Sequence, residues 1–590
     1  MLFEEVSRYY EKLEQTSSRL AMVDILCEML SKAGKDEIKN LVYMTQGILA
    51  PAFEGVQIGV AEKFAQHAIS MATGFSDDQV LAEYRKTGDM GLTAEQFMGK
   101  SRLRAMSKKE MHINDVFGAV LKIARTSGEG SQQAKIKMLV EVIASGTALE
   151  ARYATRFALG TLRLGAGDAT ILEALSKMAT GERKAKSDLE NAYNICSDLG
   201  RVAQVLAEKG MPGIGQIMVS LFSPIRPALA ERLPTSEEIL KRMNDKCAVE
   251  SKYDGFRVQL HIDKKAKKVE MFSRNLENTT AMFPDIAKAA LSEINPGEAI
   301  LEGEALAYND ATGEFRPFQE TIQRKRKHGI EEASAQLPLH LFAFDLMYVD
   351  GEDYLGKSYG ERRSKLESIV SGNGLIRLSD RIIATRPQQI DKYFENVVER
   401  GLEGIVAKDL SAPYIAGARK FSWIKLKRSY RGELSDTVDL VIVGYYAGRG
   451  QRAEFGFGGL LAAVYNDGKD VFETITRIGT GFTENNMQMF YELLGKIKKD
   501  RKPARVEAVV EPHFWVEPRY VVTVRADEIT KSPMHTCGRE GNSPDATGYA
   551  LRFPRLVSDG IRKDKSPEDA TTTREIIEMF NQQKKVSVKG

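Results

Sequence analysis

Apolar residues recur at helical spacing from the start of the chain, with Leu2, Val6, Tyr10 and Leu13 on one face. The texture persists to about residue 213 and predicts an all-helical segment. Thr93 with Gln96 forms a candidate capping box, and Asp168 is placed to cap a helix carrying Ile171, Leu172 and Leu175. The stretch Thr126-Ser-Gly-Glu-Gly-Ser131 predicts a turn ahead of a helix over 132–143. Its amides, with Lys135 and Lys137, suit a phosphate backbone; a plain loop between helices is an equal reading. Met211-Pro-Gly213 breaks the pattern and places a boundary.

From about 222 strands alternate with helices. Thr235 and Glu238 make another capping box. Cys247-Ala248-Val249 leads into one short strand, and Phe256, Val258, Leu260 and Ile262 alternate with Arg257, Gln259 and His261 in the next, Asp254-Gly255 turning the backbone between them. Further strands are expected over 269–273, 299–307 and 337–348, the last closed by Asp350-Gly351. Alternation puts Glu302 and Glu304 on one face, a pair able to hold Mg²⁺ or simply to face solvent. It also puts Trp423, Lys425 and Lys427 together, with Ile424 and Leu426 opposite: an anion site, or an edge strand guarded by lysines.

After about 431 the chain reads as β-rich, with strands over 439–446, 459–465, 471–478, 505–511 and 521–526, and a hairpin turn at Asp467-Gly468. A helix over 483–499 interrupts them. Five or so strands with one helix predict a small barrel of the OB type, a common nucleic-acid platform. The fold class is therefore multidomain α+β: helical over 1–213, mixed α/β over 222–430, and an OB-fold β-barrel over 431–590.

Composition adds limits. The 590 residues suffice for three or four domains, and a net charge of +3 leaves affinity for nucleic acid to local clusters. Such clusters occur at Lys264 to Lys268, Arg324 to Lys327 and Lys496 to Lys502. Each is by itself a solvated face as readily as a contact. Cys27, Cys196, Cys247 and Cys537 are too scattered for a zinc module and suit a reducing compartment. No apolar run approaches the roughly 20 residues of a membrane span, and the acidic Glu4 and Glu5 argue against a signal peptide. A soluble intracellular protein is expected.

The residue with the most chemistry is Lys252, in Lys252-Tyr-Asp-Gly255. At a strand end its amine can be aimed into a cleft. To attack at neutral pH, a side-chain amine must be shifted down by roughly 3 units, about 4 kcal/mol, through burial or neighbouring cations. Lys425 and Lys427 are the cations on offer. On these four letters alone a solvated turn lysine is the commoner case. Residues 351–358 also satisfy the P-loop expression and 356–360 the hydrolase elbow. Both are declined: Glu352 and Asp353 stand where phosphate needs amides, Gly360 interrupts the required helix, and no buried strand precedes Ser358.

The ordered set carries more than its parts. Lys252-Tyr-Asp-Gly255, Ser273-Arg-Asn275, Leu301-Glu-Gly-Glu304, Phe342-Ala-Phe-Asp345, Glu403-Gly-Ile-Val-Ala-Lys408, Trp423-Ile-Lys-Leu-Lys427 and Arg562-Lys-Asp-Lys565 resemble, in order and spacing, the motifs of ATP-dependent DNA ligases. These belong to the covalent nucleotidyltransferase superfamily, and the likeness is to the archaeal and eukaryotic replicative type. It extends to Leu162-Arg-Leu-Gly165, Phe315-Arg-Pro-Phe-Gln319 and Leu551-Arg-Phe-Pro-Arg-Leu556, and so covers nearly the whole chain.

The resemblance implies a helical DNA-binding domain, an adenylation domain and an OB-fold domain. It implies ATP-dependent sealing of nicks through a lysyl-AMP intermediate on Lys252, in DNA replication, repair and recombination. By position, Glu250 and Phe344 would hold and stack the adenine, with Arg257 near the ribose. Glu304 and Glu403 would place the ribose and a metal, Mg²⁺ or Mn²⁺, and Arg274 the nick phosphate. Arg419, Lys425 and Lys427 would meet the α-phosphate, and Arg562 and Lys565 would orient pyrophosphate. Implied partners are nicked double-stranded DNA and a sliding clamp, the latter through Gln96-Phe97-Met98 and the residues up to 109. A monomer without membrane contact is expected, cytoplasmic if archaeal and nuclear if eukaryotic. An RNA ligase or an mRNA capping guanylyltransferase shares the K-x-D-G core but leaves the helical 213 residues unexplained. An NAD-dependent ligase lacks its usual four-cysteine module here. An inactive nucleic-acid clamp is the non-catalytic alternative.

Overall fold

A computed structural model describes the chain except for residues 102–109, 183, 310–313, 316–320, 322–323, 325–336, 373, 401, 428–436, 449–454, 542, 544–545 and 587–590. Residues 316–319 of the Phe315 motif, 325–327 of the basic run and 102–109 of the clamp segment thus lie outside the described residues. The chain packs as two compact units. One comprises Met1–Glu231, Tyr253–Arg381 and Lys408–Trp423; the other comprises Arg232–Lys252, Ile382–Ala407 and Ile424–Gly590.

In the first unit, helices run from Phe3–Glu14 to Leu199–Ile214, and their apolar faces share one core that includes Val6, Tyr10, Leu13, Phe157 and Leu175. The helix over 132–143 is present as Ser131–Ser145 behind Gly130 at φ +76°. Two expected caps differ. Helix Met90–Lys100 is capped by Asp89, which accepts from the Leu92 amide at 3.0 Å, while Thr93 lies buried inside the helix. Asp89 is fixed there by Arg156, whose Nη2 donates to it at 2.8 Å. Asp168 is the first helical residue rather than the cap, its carboxylate taken by Gln46 at 2.8 Å and Tyr193 at 2.6 Å. The break near 211–213 begins at Gly210, φ +63°.

The strands that carry the site motifs are β1 (Cys247–Lys252), β2 (Phe256–Asp263), β3 (Lys268–Ser273), β4 (Glu298–Asn309), β5 (Leu339–Val349), β6 (Gly404–Asp409) and β7 (Arg419–Lys427). Strands β3, β2, β4 and β5 lie side by side in a seven-stranded sheet of the first unit. One face buries Val258, Leu260, Leu301, Ala305 and Leu341 with Ile286, Ala289 and Leu366 from helices Pro284–Glu293 and Tyr359–Ile369. The opposite face is polar, because β2 and β4 turn Arg257, Gln259, His261, Glu302 and Glu304 that way. Residues 222–228 are laced onto it. The Phe222 amide donates to His261 Nδ1 at 3.0 Å, and Gln259 exchanges two hydrogen bonds with the Ile225 backbone at 2.7 and 3.0 Å. Burial lowers the His261 pKa to about 3, so its imidazole is neutral and can accept.

Strand β1 does not pair with β2. It lies in a five-stranded sheet between β6 and Arg381–Ala384, with β7 beyond β6. Helix Pro387–Glu399 packs on β1, and helix Ser236–Arg242, capped by Thr235 as expected, packs on that helix. The C-terminal β domain follows in the second unit. β8 (Val438–Tyr446), β9 (Gly459–Asn466) and β10 (Val471–Ile478) form a meander, and helix Glu484–Gly495 separates them from β11 (Val521–Arg525) and β12 (Arg555–Ile561). β11 pairs with β8 and with β12. The expected helix stops before 499 because Lys498 and Lys499 pair with Val516 and Trp515 as strand. Of 505–511, only Val506–Glu507 is strand.

Candidate active site

Two groups of side chains carry the chemistry, one in each unit. In the second unit, β1 ends at Lys252 and β6 begins at Gly404. The Glu403 amide donates to the Lys252 carbonyl at 3.1 Å, fixing the two strand ends together. The Glu403 carboxylate then pairs with both Lys252 Nζ and Lys427 Nζ, each side chain about three-quarters buried. Burial alone would raise the Glu403 pKa; Lys252 and then Lys427 outweigh it and hold the carboxyl below its ordinary range. Glu250, buried on β1 two residues before Lys252, shares its face by alternation, as Lys425 shares that of Lys427 on β7.

Gly404 makes this approach possible. Its φ is +146°, and a Cβ there would collide with the Leu426 carbonyl and stand 2.8 Å from the Lys427 Cα. Gly404→Ala is therefore expected to cost about 1–3 kcal/mol of stability. It should slow adenylylation by more than stability loss explains, since it parts Glu403 from Lys427. A melting curve alongside single-turnover labelling checks this, and an unchanged labelling rate would refute it.

In the first unit, Arg257 donates to both oxygens of Glu302, at 2.8 and 2.9 Å, and to the Ala228 carbonyl at 2.7 Å. Tyr414 donates to Glu302 at 2.9 Å while accepting from the Ala228 amide at 2.9 Å. Burial lowers the Arg257 pKa, but Glu302 more than reverses this, so the guanidinium stays charged. Glu302 is thus spent on Arg257 and Tyr414. Glu304 lies half-buried on the same face of β4. The Arg257 guanidinium lies 5.6 Å from the Phe344 ring centroid and 5.5 Å from that of Trp423.

Phe344 stands edge-on to Trp423 at 5.9 Å. Beneath it, Lys408 is buried, donates to the Phe344 carbonyl at 2.9 Å and sits 4.3 Å from the Trp423 ring centroid. Behind it Arg362 donates to both oxygens of Asp345, at 2.7 and 3.2 Å, both side chains having no exposed area. Tyr253, next to Lys252 in the chain, stacks on Phe342 at 4.8 Å and accepts the Asp380 amide at 3.2 Å. Tyr414, Arg362 and the cage around Lys408 were not foreseen. Strict alternation would set Asp345 on the face of Leu341 and Ala343; a register shift between Ala343 and Asp345 instead places it opposite Glu302 on the polar face, and nothing local in the sequence marks that shift.

Arg274 and Arg419 are exposed, at the end of β3 and the start of β7. Arg562 and Lys565 meet at Asp439, 3.2 and 2.7 Å from its Oδ2. Phe97 and Met98 are buried, Phe97 against Phe75 at 4.6 Å, so the ring is not available as an exposed docking anchor. No helix among the described residues is long and apolar enough to cross a membrane.

Comparisons with known proteins cover the chain in three consecutive stretches. Residues 2–176 match the model for the DNA ligase N terminus, 227–427 the ATP dependent DNA ligase domain, and 453–565 the ATP dependent DNA ligase C terminal region. A "Probable DNA ligase" of Dictyoglomus turgidum is 47% identical over 588 residues, covering 100% of this chain and 99% of the relative. A "DNA ligase" of Saccharolobus solfataricus is 41% identical over 600 residues, covering 100% and 99%. Among solved structures, "Pmar-Lig_PreS3" shares the fold with a TM-score of 0.55 at 19% identity, over 94% of this chain and 98% of that one. With a lysine at a strand end held by a shared carboxylate, and relatives of this identity along its full length, the chain belongs to the family of ATP-dependent DNA ligases, enzymes that seal nicks through an adenylate intermediate.

Proposed function

We propose that Lys252 is the residue adenylylated in this chain, and that it works in DNA replication, repair and recombination. The observation that carries the assignment is the sharing of Glu403 by Lys252 and Lys427. When Lys252 gives up a proton to attack, Glu403 keeps a counter-ion in Lys427, so no charge is stranded in the largely buried site. The Nζ lone pair forms a bond to the α-phosphorus of ATP, and the bond from that phosphorus to the bridging oxygen breaks, its electrons leaving with pyrophosphate. An oxygen of the DNA 5′-phosphate then attacks the same phosphorus and releases the lysine. Finally the 3′-hydroxyl attacks the 5′-phosphorus and AMP departs.

In this reading Glu250 and Phe344 hold the adenine and Arg257 lies near the ribose. Arg419, Lys425 and Lys427 neutralise the α-phosphate, and Arg274 meets the nick phosphate. Arg562 and Lys565 face the departing pyrophosphate. Glu304 and Glu403 offer hard carboxylate oxygens of the kind Mg²⁺ or Mn²⁺ takes, and such an ion would spread the phosphate charge. The division into 1–213, 222–430 and 431–590 is proposed as the functional one. Nicked duplex DNA is the substrate, and the protein acts as a monomer. A sliding clamp is a further partner, reached through residues other than Phe97.

The test mixes the protein with Mg²⁺ and α-labelled ATP, with GTP and NAD in parallel, then adds nicked duplex. Acid-labile label from ATP alone, passing to DNA and leaving a sealed strand, is the expected result. Label from GTP would redirect the reading to capping. DNA binding without any label would make the chain an inactive clamp.

A further inference from the structure

The reading above places Arg562 and Lys565 at the pyrophosphate but leaves open what aims two long, mobile side chains. Both converge on one carboxylate. Asp439, the second residue of β8, has a side chain only 11% exposed, whereas Arg562 and Lys565 are 33% and 32% exposed. Its Oδ2 accepts from Lys565 Nζ at 2.7 Å and Arg562 Nη1 at 3.2 Å; its Oδ1 accepts from the Thr523 hydroxyl at 2.6 Å. The Asp439 backbone is fixed as well. Its amide donates to the Thr571 hydroxyl at 3.0 Å, and its carbonyl accepts the Thr571 amide at 2.9 Å. The Arg562 amide donates to the Val521 carbonyl at 2.8 Å. Strands β8 and β11 and the segment 561–571 are thereby sewn together around a single acid.

We propose that Asp439 is a positioning residue for the adenylylation step: it gathers Arg562 and Lys565 from one side, so that their remaining donors present a preformed pair of cations to pyrophosphate. The inference rests on the assignment of those two cations. Two like charges on one turn would otherwise repel and sample separate rotamers, and an anion binding them would have to order both. A carboxylate nine-tenths buried behind them does that in advance. Burial raises its pKa, but Lys565 and Thr523 outweigh burial and hold it ionised. On its outer side Arg562 also donates to both oxygens of Asp564, itself an exposed residue, at 2.8 and 2.6 Å, and an incoming polyphosphate would take over those donors.

The test separates the steps. Lys252 labelling by α-labelled ATP is followed in single turnover, and sealing of a chemically pre-adenylated nick is followed with the same preparations. Asp439→Asn keeps the shape and the Thr523 acceptor and removes the charge. It should slow labelling about 10- to 100-fold, of the order seen when a residue supporting a ligand is lost, and leave sealing of the pre-adenylated nick within about twofold. Asp439→Glu should recover part of the labelling rate. Thr523→Val, which loosens the carboxylate without removing its charge, should give a smaller loss in the same step only. That variant decides the matter if Asp439→Asn proves misfolded. Labelling at the wild-type rate in Asp439→Asn, faster labelling, or equal slowing of both steps would overturn the proposal. Arg562→Ala and Lys565→Ala are run beside it. If they label normally, the assignment of the cations falls and the inference with it; if they are slow and Asp439→Asn is not, only the inference falls.

Discussion

Lys252→Arg binds nicked DNA as tightly as the wild type, yet takes no label from ATP: that is the expected result, with a loss of about 10⁴-fold or more in adenylylation. The substitution is chosen because it preserves almost everything else. Arginine keeps the positive charge, so the pairing with Glu403 is retained and Glu403 need not be left bare beside Lys427. The melting temperature should scarcely move. What arginine cannot do is lose its proton at any pH the protein survives, and a protonated guanidinium has no lone pair to give to phosphorus. Because the final step uses the 3′-hydroxyl and not the lysine, the same variant should still join a nick supplied already adenylated. Covalent label on Lys252→Arg would remove Lys252 as the nucleophile. Failure on the pre-adenylated nick would show instead that the lysine also serves the last step.

The second large effect concerns stability. Asp345→Ala leaves Arg362 buried without its counter-ion, and loss of one member of such a pair costs about 3–5 kcal/mol. Arg362→Met should cost a similar amount. The double variant should be less damaged than the sum of the two, because no unpaired charge then remains. Urea unfolding measures all three, and strict additivity would deny the coupling. The pair also carries a pH signature. Burial raises the Asp345 pKa, but Arg362 and Lys408 outweigh it, and the folded-state value lies below the ordinary one. Its contribution is present in full above pH 4 or so, the unfolded carboxyl's range, and is lost as the pH falls through the lower folded value. Asp345 follows Phe344 directly, and Lys408 joins the two. ATP affinity should therefore weaken in these variants before the fold is lost.

The sequence was informative where local geometry decides. Strand alternation alone put Lys425 with Lys427 and Glu302 with Glu304, and the structure keeps both pairs on their faces. It could not say what either member of a pair meets in the fold. Glu302 and Tyr414 stand 112 residues apart, and only the folded sheet shows that Arg257 and Tyr414 have already claimed that carboxylate. Local pattern misplaced one helix cap for the same reason. Thr93 satisfies a local pattern, but Arg156, 67 residues away, fixes Asp89 as the cap. The resemblance placed a clamp-contacting segment at Gln96-Phe97-Met98, yet Phe75 covers the Phe97 ring. Glu403 and Lys427 were legible as separate motifs. Their meeting at one lysine depends on a glycine, Gly404, whose backbone angle no periodicity reveals.

The sheet around Lys252 draws its five strands from 229–232, 247–252, 381–384, 404–409 and 419–427. A ribosome must therefore deliver some 170 further residues after the lysine before its carboxylate and second cation exist, roughly ten seconds or more at ordinary synthesis speeds. The seven-stranded sheet needs no strand beyond Leu378 and can form first. The nascent chain thus carries an unarmed lysine until late in its synthesis, and a fragment ending before Arg419 should be inert toward ATP however well its earlier segments fold.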